Sequence, residues 1–506
     1  MTMPLDAGQR LAPQGLATSK TGALLPWLAM IALFVVAVFL RHVLAANTDV
    51  SWLLTVGERV LDGQRLYVDV IETNPPMAAL VYIPGIVLAR ALGLPAEIVT
   101  DGLVFAAIFA SLAIVSRILK NSAVLNGVQG WPLMLLAFAI LAILPTQAFG
   151  QREHIALIAL LPMLAVMAVR INRETPPLWA VVLAGIGAGV ALSFKPHFAI
   201  GLLCGAAALA IYARSWRGLF TPENVIVAAV VGLYLAGVIV FFPEFFTVIG
   251  PLVRDVYIPV GISFSALLEK PAVPLWLIAM LAAYLLKRRS GIDATLVLLL
   301  ATSSGFAVAF FLQRKGWPYH SLPMLVLALL GLGYVLTSHA PRNRTDRSFG
   351  IGALALLVAL FARSMLWFDV AFDARPLQDS VARLGSHPVI LAVTGEPGLG
   401  HPLVRALGGT WVSRQQGLWV AAYLEYMRRN GTLGSKRDVA LDAYADRERA
   451  MLVADIRKNP PTVVLVDDLT GTWSNWLALH SDVADQLKDF RPVETINNVA
   501  ILTRRN

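Results

Sequence analysis

Residues 47–76 read NTDVSWLLTVGERVLDGQRLYVDVIETNPP. Asp49, Glu58, Asp62, Asp69 and Glu72 are spread through this stretch, with Trp52 and Tyr67 between them. A long apolar run at 24–43 precedes it, and a second, at 76–92, starts from the Pro75-Pro76 pair. Carboxylates gathered at the edge of a bilayer, in a segment too polar to cross it, point to chemistry. The stretch is therefore read as the floor of an active site.

The rest of the chain supports a membrane setting. Of 506 residues, 57% are hydrophobic and 14% charged, which indicates a polytopic membrane protein. The formal charge of +9 fits Lys and Arg at membrane edges; no basic run interleaved with aromatics suggests nucleic acid. The single cysteine, Cys204, excludes a disulfide framework or thiolate metal site within one chain. The run 24–40 lacks a small-residue cleavage site and reads as a signal anchor.

Apolar runs long enough to span, or nearly so, lie at 24–43, 97–116, 131–146, 154–170, 178–194, 197–213, 224–243, 272–286, 292–312, 321–338 and 349–368. Clustered cations mark five connections: Arg117 and Lys120; Arg170 and Arg173; Arg214 and Arg217; Lys287 to Arg289; Arg342, Arg344 and Arg347. With Arg10 and Lys20 of the tail 1–23 inside, all five fall on the cytoplasmic side only if 76–92 does not cross. That run is then a juxtamembrane or re-entrant helix begun by its double proline. The expectation is a polytopic α-helical membrane protein: about eleven crossings over 24–368, a first outer loop at 44–95 with juxtamembrane helices, and an outer C-terminal domain at 369–506.

That last segment changes character. PVILAVT at 388–394, TVVLVD at 462–467 and VAILT at 499–503 read as strands, with helical patterns at 376–385, 415–430, 444–458 and 474–488. This is a soluble α/β domain without a dinucleotide fingerprint or a Walker loop.

The orientation places the unusual polar motifs on one face: 47–74, Gln151-Arg152-Glu153-His154, Lys195-Pro196-His197, Arg254-Asp255 and the run 313–320. Singly, such residues often snorkel or cap helices. Together they describe a site that binds an anion and removes a proton. Arg152, Lys195, Arg314 and Lys315 suit a phosphate, by bidentate fork or point charge. Trp317, Tyr319 and Trp52 offer faces to a sugar ring or an isoprenoid, and Tyr67 is a further candidate substrate contact. Asp49 suits a general base; its competing role is a helix cap, which Asn47 or Thr48 can fill instead. Glu72 is the second candidate. Asp62-Gly63 reads as a turn, and Glu58 with Arg59 as a solvated helix face. His154, His197 and His320 can be substrate contacts, or metal ligands together with Asp49 or Glu72, although their spacing matches no metal motif.

At these residues the chain resembles the polytopic GT-C glycosyltransferases, among them protein O-mannosyltransferases and the transferases that place aminoarabinose on lipid A. The likeness rests on Asp49 just past the first span, on Asp62-Gly63-Gln64-Arg65-Leu66-Tyr67-Val68-Asp69, and on Glu72-Thr73-Asn74-Pro75-Pro76. Glu153 stands where the family has a second acidic motif, though the usual Asp-Pro or Asp-x-Asp form is absent. The motif covers roughly residues 25–215, and the remainder follows by architecture. The resemblance implies a sugar donor on a bacterial polyprenyl phosphate, inverting transfer to a cell-envelope acceptor on the periplasmic face of the inner membrane, and Asp49 or Glu72 as the carboxylate. A divalent cation serves only some branches, and none is expected here. Two other classes compete. A flippase or transporter should carry ionisable residues in mid-span, which this chain almost lacks. An oligosaccharide ligase or polymerase usually depends on a large late outer loop, for which 244–271 is the one moderate candidate.

Overall fold

The computed structural model describes residues 20–44, 47–288, 290–338, 344–431 and 435–504. The tail 1–19 and the cations Arg289 and Arg342 lie outside the described residues.

A helix stands at each of the eleven apolar runs, beginning with Lys20–Val43 and ending with Arg344–Phe368. Among the described residues, seven segments are long and apolar enough to cross a membrane. Four others are shorter: Gly130–Ala142, Leu178–Phe194, Phe198–Ala213 and Ala272–Arg288. The sequence explains two early stops. Pro145 follows the first of these helices and Pro196 the second, and a residue preceding proline is driven out of helical geometry. Both stops turn the chain into the same polar region. The run 76–92 breaks into Met77–Leu80 and Ile83–Leu92. Ten residues rise about 15 Å, half of a hydrocarbon core.

Small residues let the helices approach closely. Gly185 and Gly189 receive Ile226 and Val230 from Pro222–Phe241, and a Cβ on Gly187 would collide with the Ala159 carbonyl. Close approach of this kind supplies the packing that lipid, as apolar as the side chains, does not drive.

The C-terminal domain carries a five-stranded sheet. Its strands are β1 (Val389–Val393), β2 (Thr410–Trp411), β3 (Val463–Asp467), β4 (Phe490–Ile496) and β5 (Val499–Arg504), in the order β2-β1-β3-β5-β4. β2, β1 and β3 are parallel, while β5 and β4 run antiparallel on the other edge. β1 and β3 are almost wholly buried, as their unbroken apolar sequences require. β4 is exposed along most of its length, carries Pro492 at a register shift, and so has no alternating pattern to betray it.

The terminal domain and the first loop share one core. Trp52, Leu53, Leu54 and Val56 of helix Thr48–Leu61 pack in a single buried cluster with Ile390, Leu399, Trp411 and Ile501. Glu58 and Arg59 are therefore not a solvated face. Arg405 forks onto Glu58 at 2.6 and 2.9 Å and also pairs with Glu97. Arg59 donates to the carbonyl of Ser413 at 2.9 Å and to that of Trp411. The Ile71 N–H donates to the Arg414 carbonyl at 2.7 Å. His401 lies between Trp52 and Trp411, its ring centre 5.1 and 4.7 Å from theirs.

Candidate active site

The first loop is built to support its own polar groups. Asn47 caps helix Thr48–Leu61, its Oδ1 accepting from Val50 N–H at 3.1 Å. It also donates to the Gln147 carbonyl at 2.6 Å and accepts from Gln151 at 3.0 Å. The cap is thus filled, and the Asp49 carboxylate is left to face Arg152, whose Nη2 lies 3.4 Å away. Asp49 keeps 26% of its side chain exposed. Desolvation raises its pKa above the ordinary carboxylate value, while the charge of Arg152 pulls the other way.

Glu72 is differently placed. One oxygen accepts from Trp52 Nε1 at 2.6 Å; the other accepts from Asn74 N–H at 2.9 Å and its amide at 2.5 Å. Tyr67 in turn donates to the Asn74 carbonyl at 2.7 Å. The loop is a chain of supports, Tyr67 to Asn74 to Glu72 to Trp52. Tyr67 itself is buried against Phe242 and Phe245 and does not line the cavity, which corrects its reading as a substrate contact.

These groups open onto a cavity of about 600 Å³ between the helix ends and the terminal domain. Asp49, Trp52, Glu72, Arg152, Lys195, Trp317 and Tyr319 all line it. Arg152 is buried, and its Nε has no hydrogen-bond partner among the described residues. Lys195 pairs with Glu153 at 3.1 Å. Glu153 and His320 lie behind the lining, 3.8 Å apart, and neither ring nitrogen of His320 makes a hydrogen bond among the described residues. His197 stands beyond His320, ring centres 6.4 Å apart, and does not line the cavity. No group of three or more His, Cys, Asp or Glu is disposed to hold a metal ion among the described residues.

Two further expectations need correction. His154 is used up in the backbone: Nδ1 accepts from Gly150 N–H at 3.1 Å and Nε2 lies 2.8 Å from the Leu141 carbonyl. Arg314 and Lys315 are not at the cavity. Arg314 is exposed, with φ +52°, and Nε donates to the Ile262 carbonyl at 3.2 Å. Lys315 Nζ donates to the Tyr257 carbonyl at 2.6 Å and to that of Val260. The backbone of 257–262 has claimed both cations.

Sequence reasoning missed half of the lining. Tyr257 comes from the loop after Pro222–Phe241, and Glu396, Gln416, Trp419, Tyr423 and Thr470 from the terminal domain. Glu396 is partly buried, which raises its pKa above the usual value. Glu448 anchors the helix Trp419–Arg429, accepting from Val420 and Ala421 N–H at 3.1 and 2.9 Å. Burial pushes its pKa up to about 8.

No protein-family model matches the chain, and no curated protein matches it. Among solved structures it is similar to ArnT from Cupriavidus metallidurans bound to undecaprenyl phosphate: TM-score 0.54, 13% identity, 96% of this chain and 98% of that one. The apo state of the same protein gives TM-score 0.54 and 14% identity over 95% and 98%. The arabinofuranosyltransferase AftD from Mycobacteria aligns with TM-score 0.44 and 17% identity over 94% of this chain and 40% of its own. ArnT aligns over nearly the whole length of both chains, and the chain accordingly shares its fold.

Proposed function

We propose that the protein is a glycosyltransferase that moves a sugar from a polyprenyl-phosphate donor to a hydroxyl of a cell-envelope acceptor. The observation that carries this reading is the pairing, within one cavity, of the buried guanidinium of Arg152 with the carboxylate of Asp49. In the reaction the acceptor oxygen attacks the anomeric carbon as the bond from that carbon to the phosphate oxygen breaks, inverting the centre. Asp49 takes the hydroxyl proton. The phosphate leaves with the electron pair, and Arg152 offers its fork to the charge that develops. Lys195 supports the same charge from behind, although Glu153 already engages it. Glu72 holds the loop through Trp52 and Asn74 and positions Asp49.

The distribution of cations supports a cavity on the outer, periplasmic side with the N-terminus cytoplasmic, and the donor class supports a bacterial inner membrane. Cysteine placed at Arg288 in a Cys204→Ala background should be labelled only from the inside; labelling from outside would reverse the orientation. The catalytic test is transfer from radiolabelled polyprenyl-phosphate sugars by the purified protein. Asp49→Asn should lower the rate about 10²–10⁴-fold, and an undiminished rate would remove Asp49 from the role.

A further inference from the structure

The wall of the cavity that the terminal domain supplies is unlike its floor. Glu396, Gln416, Trp419, Tyr423 and Thr470 include no Lys or Arg, whereas the floor presents Arg152 and Lys195. Aromatic rings run from floor to wall without a break. Tyr319 and Trp317 lie 5.7 Å apart between centres, Trp317 and Tyr257 6.3 Å, Tyr257 and Tyr423 6.0 Å, and Tyr423 and Trp419 5.7 Å. Tyr257, Trp317, Tyr319 and Tyr423 are half-buried and all line the cavity.

Polar groups left open stand beside this track. Glu396 uses one oxygen to accept from Gly398 N–H at 2.9 Å. Its other oxygen, and the side-chain amide of Gln416, bond to no described residue. Glu448 holds the first turn of the helix that carries Trp419 and Tyr423, so the track is fixed before any ligand arrives. Lys315 reaches these rings, its Nζ 3.9 Å from the centre of Tyr257 and 5.5 Å from that of Tyr423, but its donors go to the Tyr257 and Val260 carbonyls. Apolar ring faces beside unspent hydrogen-bonding groups match a sugar: its C–H faces lie on aromatic rings and its hydroxyls need partners.

We infer that this wall is the acceptor subsite, and that it takes a hydroxyl-rich glycan stacked along Tyr257 and Tyr423 and hydrogen-bonded to Glu396 and Gln416. The inference deepens the proposed function and rests on it for the place of the donor phosphate at the floor.

The test uses the full-length protein in nanodiscs and two probes. A panel of neutral oligosaccharides of arabinose, galactose, mannose and glucose is followed by saturation-transfer NMR, and undecaprenyl phosphate by native mass spectrometry. At least one oligosaccharide should bind. Glu396→Gln and Tyr423→Ala should weaken it tenfold or more while undecaprenyl phosphate binding stays within twofold; Arg152→Gln should do the reverse. Because Tyr423 also packs on Tyr257, Gln416→Ala is measured beside it and should weaken the glycan without loosening that contact. Failure of every oligosaccharide to bind, or binding that persists in both Glu396→Gln and Gln416→Ala, overturns the subsite, as does loss of undecaprenyl phosphate in the wall variants. Wild-type protein that binds a glycan but no undecaprenyl phosphate would sink the donor reading and leave the glycan site standing.

Discussion

Arg152 with Lys195 and Arg314 with Lys315 form two cation pairs that look alike in one dimension. Each stands where an apolar helix meets a polar turn. Arg152 opens the helix Arg152–Ile171 and Lys195 follows Leu178–Phe194; Arg314 and Lys315 follow Ala294–Gln313. The first pair lines the cavity and leaves the Arg152 Nε without a hydrogen-bond partner among the described residues; the second is spent on backbone carbonyls of residues 257–262. What separates them is demand from nearby backbone. The segment 257–262 leaves the π-helical turn Val253–Tyr257 with carbonyls that have no helical partner, and Lys315 satisfies two of them. Arg152 instead faces the carboxylate of Asp49 at 3.4 Å.

Replacing Arg152 is the strongest way to break this contrast. Arg152→Gln should lower transfer about 10²–10³-fold, the usual cost of losing one donor to developing charge. Arg152→Lys should recover only part, since a point charge cannot reproduce the fork. A rate close to wild type would leave the two pairs indistinguishable.

The pH profile sharpens the same point. A general base works deprotonated, so transfer should rise with pH through the raised pKa of Asp49, above the ordinary carboxylate range. Arg152 holds that pKa down, so residual activity in Arg152→Gln should show its acid limb at still higher pH.

Lys315→Met should act on stability more than on chemistry. Two part-buried carbonyls lose their donor, at about 1–3 kcal/mol, and melting temperature in detergent should fall while the transfer rate stays within about tenfold. Glu448 offers a carboxylate counterpart. Its folded pKa of about 8 exceeds the unfolded value, so its protonated form favours the folded state. That contribution is complete below the unfolded pKa and fades as pH rises through about 8. Glu448→Gln should flatten the decline in melting temperature over that interval. Smallest of all, Arg314→Ala should leave transfer within about twofold, because its charge is exposed.

Much of the architecture was legible because it is written in local periodicity. The eleven apolar runs and the strands β1, β3 and β5 each carry a continuous hydrophobic signal. β2, two residues long, and the exposed β4 carry none. The floor of the cavity was legible for another reason. Asp49, Arg152 and Lys195 are charges in places where charge is costly, and an apolar background makes them visible. His154 was visible for the same reason, yet it only ties the turn at Gly150 to Leu141; rarity marks a residue without saying which partner it serves. The wall was not legible. Glu396 and Tyr423 sit in a domain of ordinary polarity, and only the packing of residues 50–56 against 390–411 brings them over Asp49. Glu58 and Arg59 illustrate the matching error at the interface: polar residues on a helix face look solvated until the partner that binds them, here Arg405 and residues 411–413, is known.

The contacts of Glu58 with Arg405 and of Arg59 with Ser413 join positions 347 and 354 residues apart. At the ordinary pace of synthesis the ribosome needs roughly 20–70 s to travel that distance. Through that interval Trp52, Leu54 and Val56 have emerged, but Ile390 and Trp411 have not been made. The nascent chain therefore carries half of a core, with unpaired charges beside it, at the edge of the membrane until its last fifth is translated. Chaperone capture during that wait, or premature termination within it, would bear on the catalytic floor itself, since Asp49 stands on the helix whose other face is still uncovered.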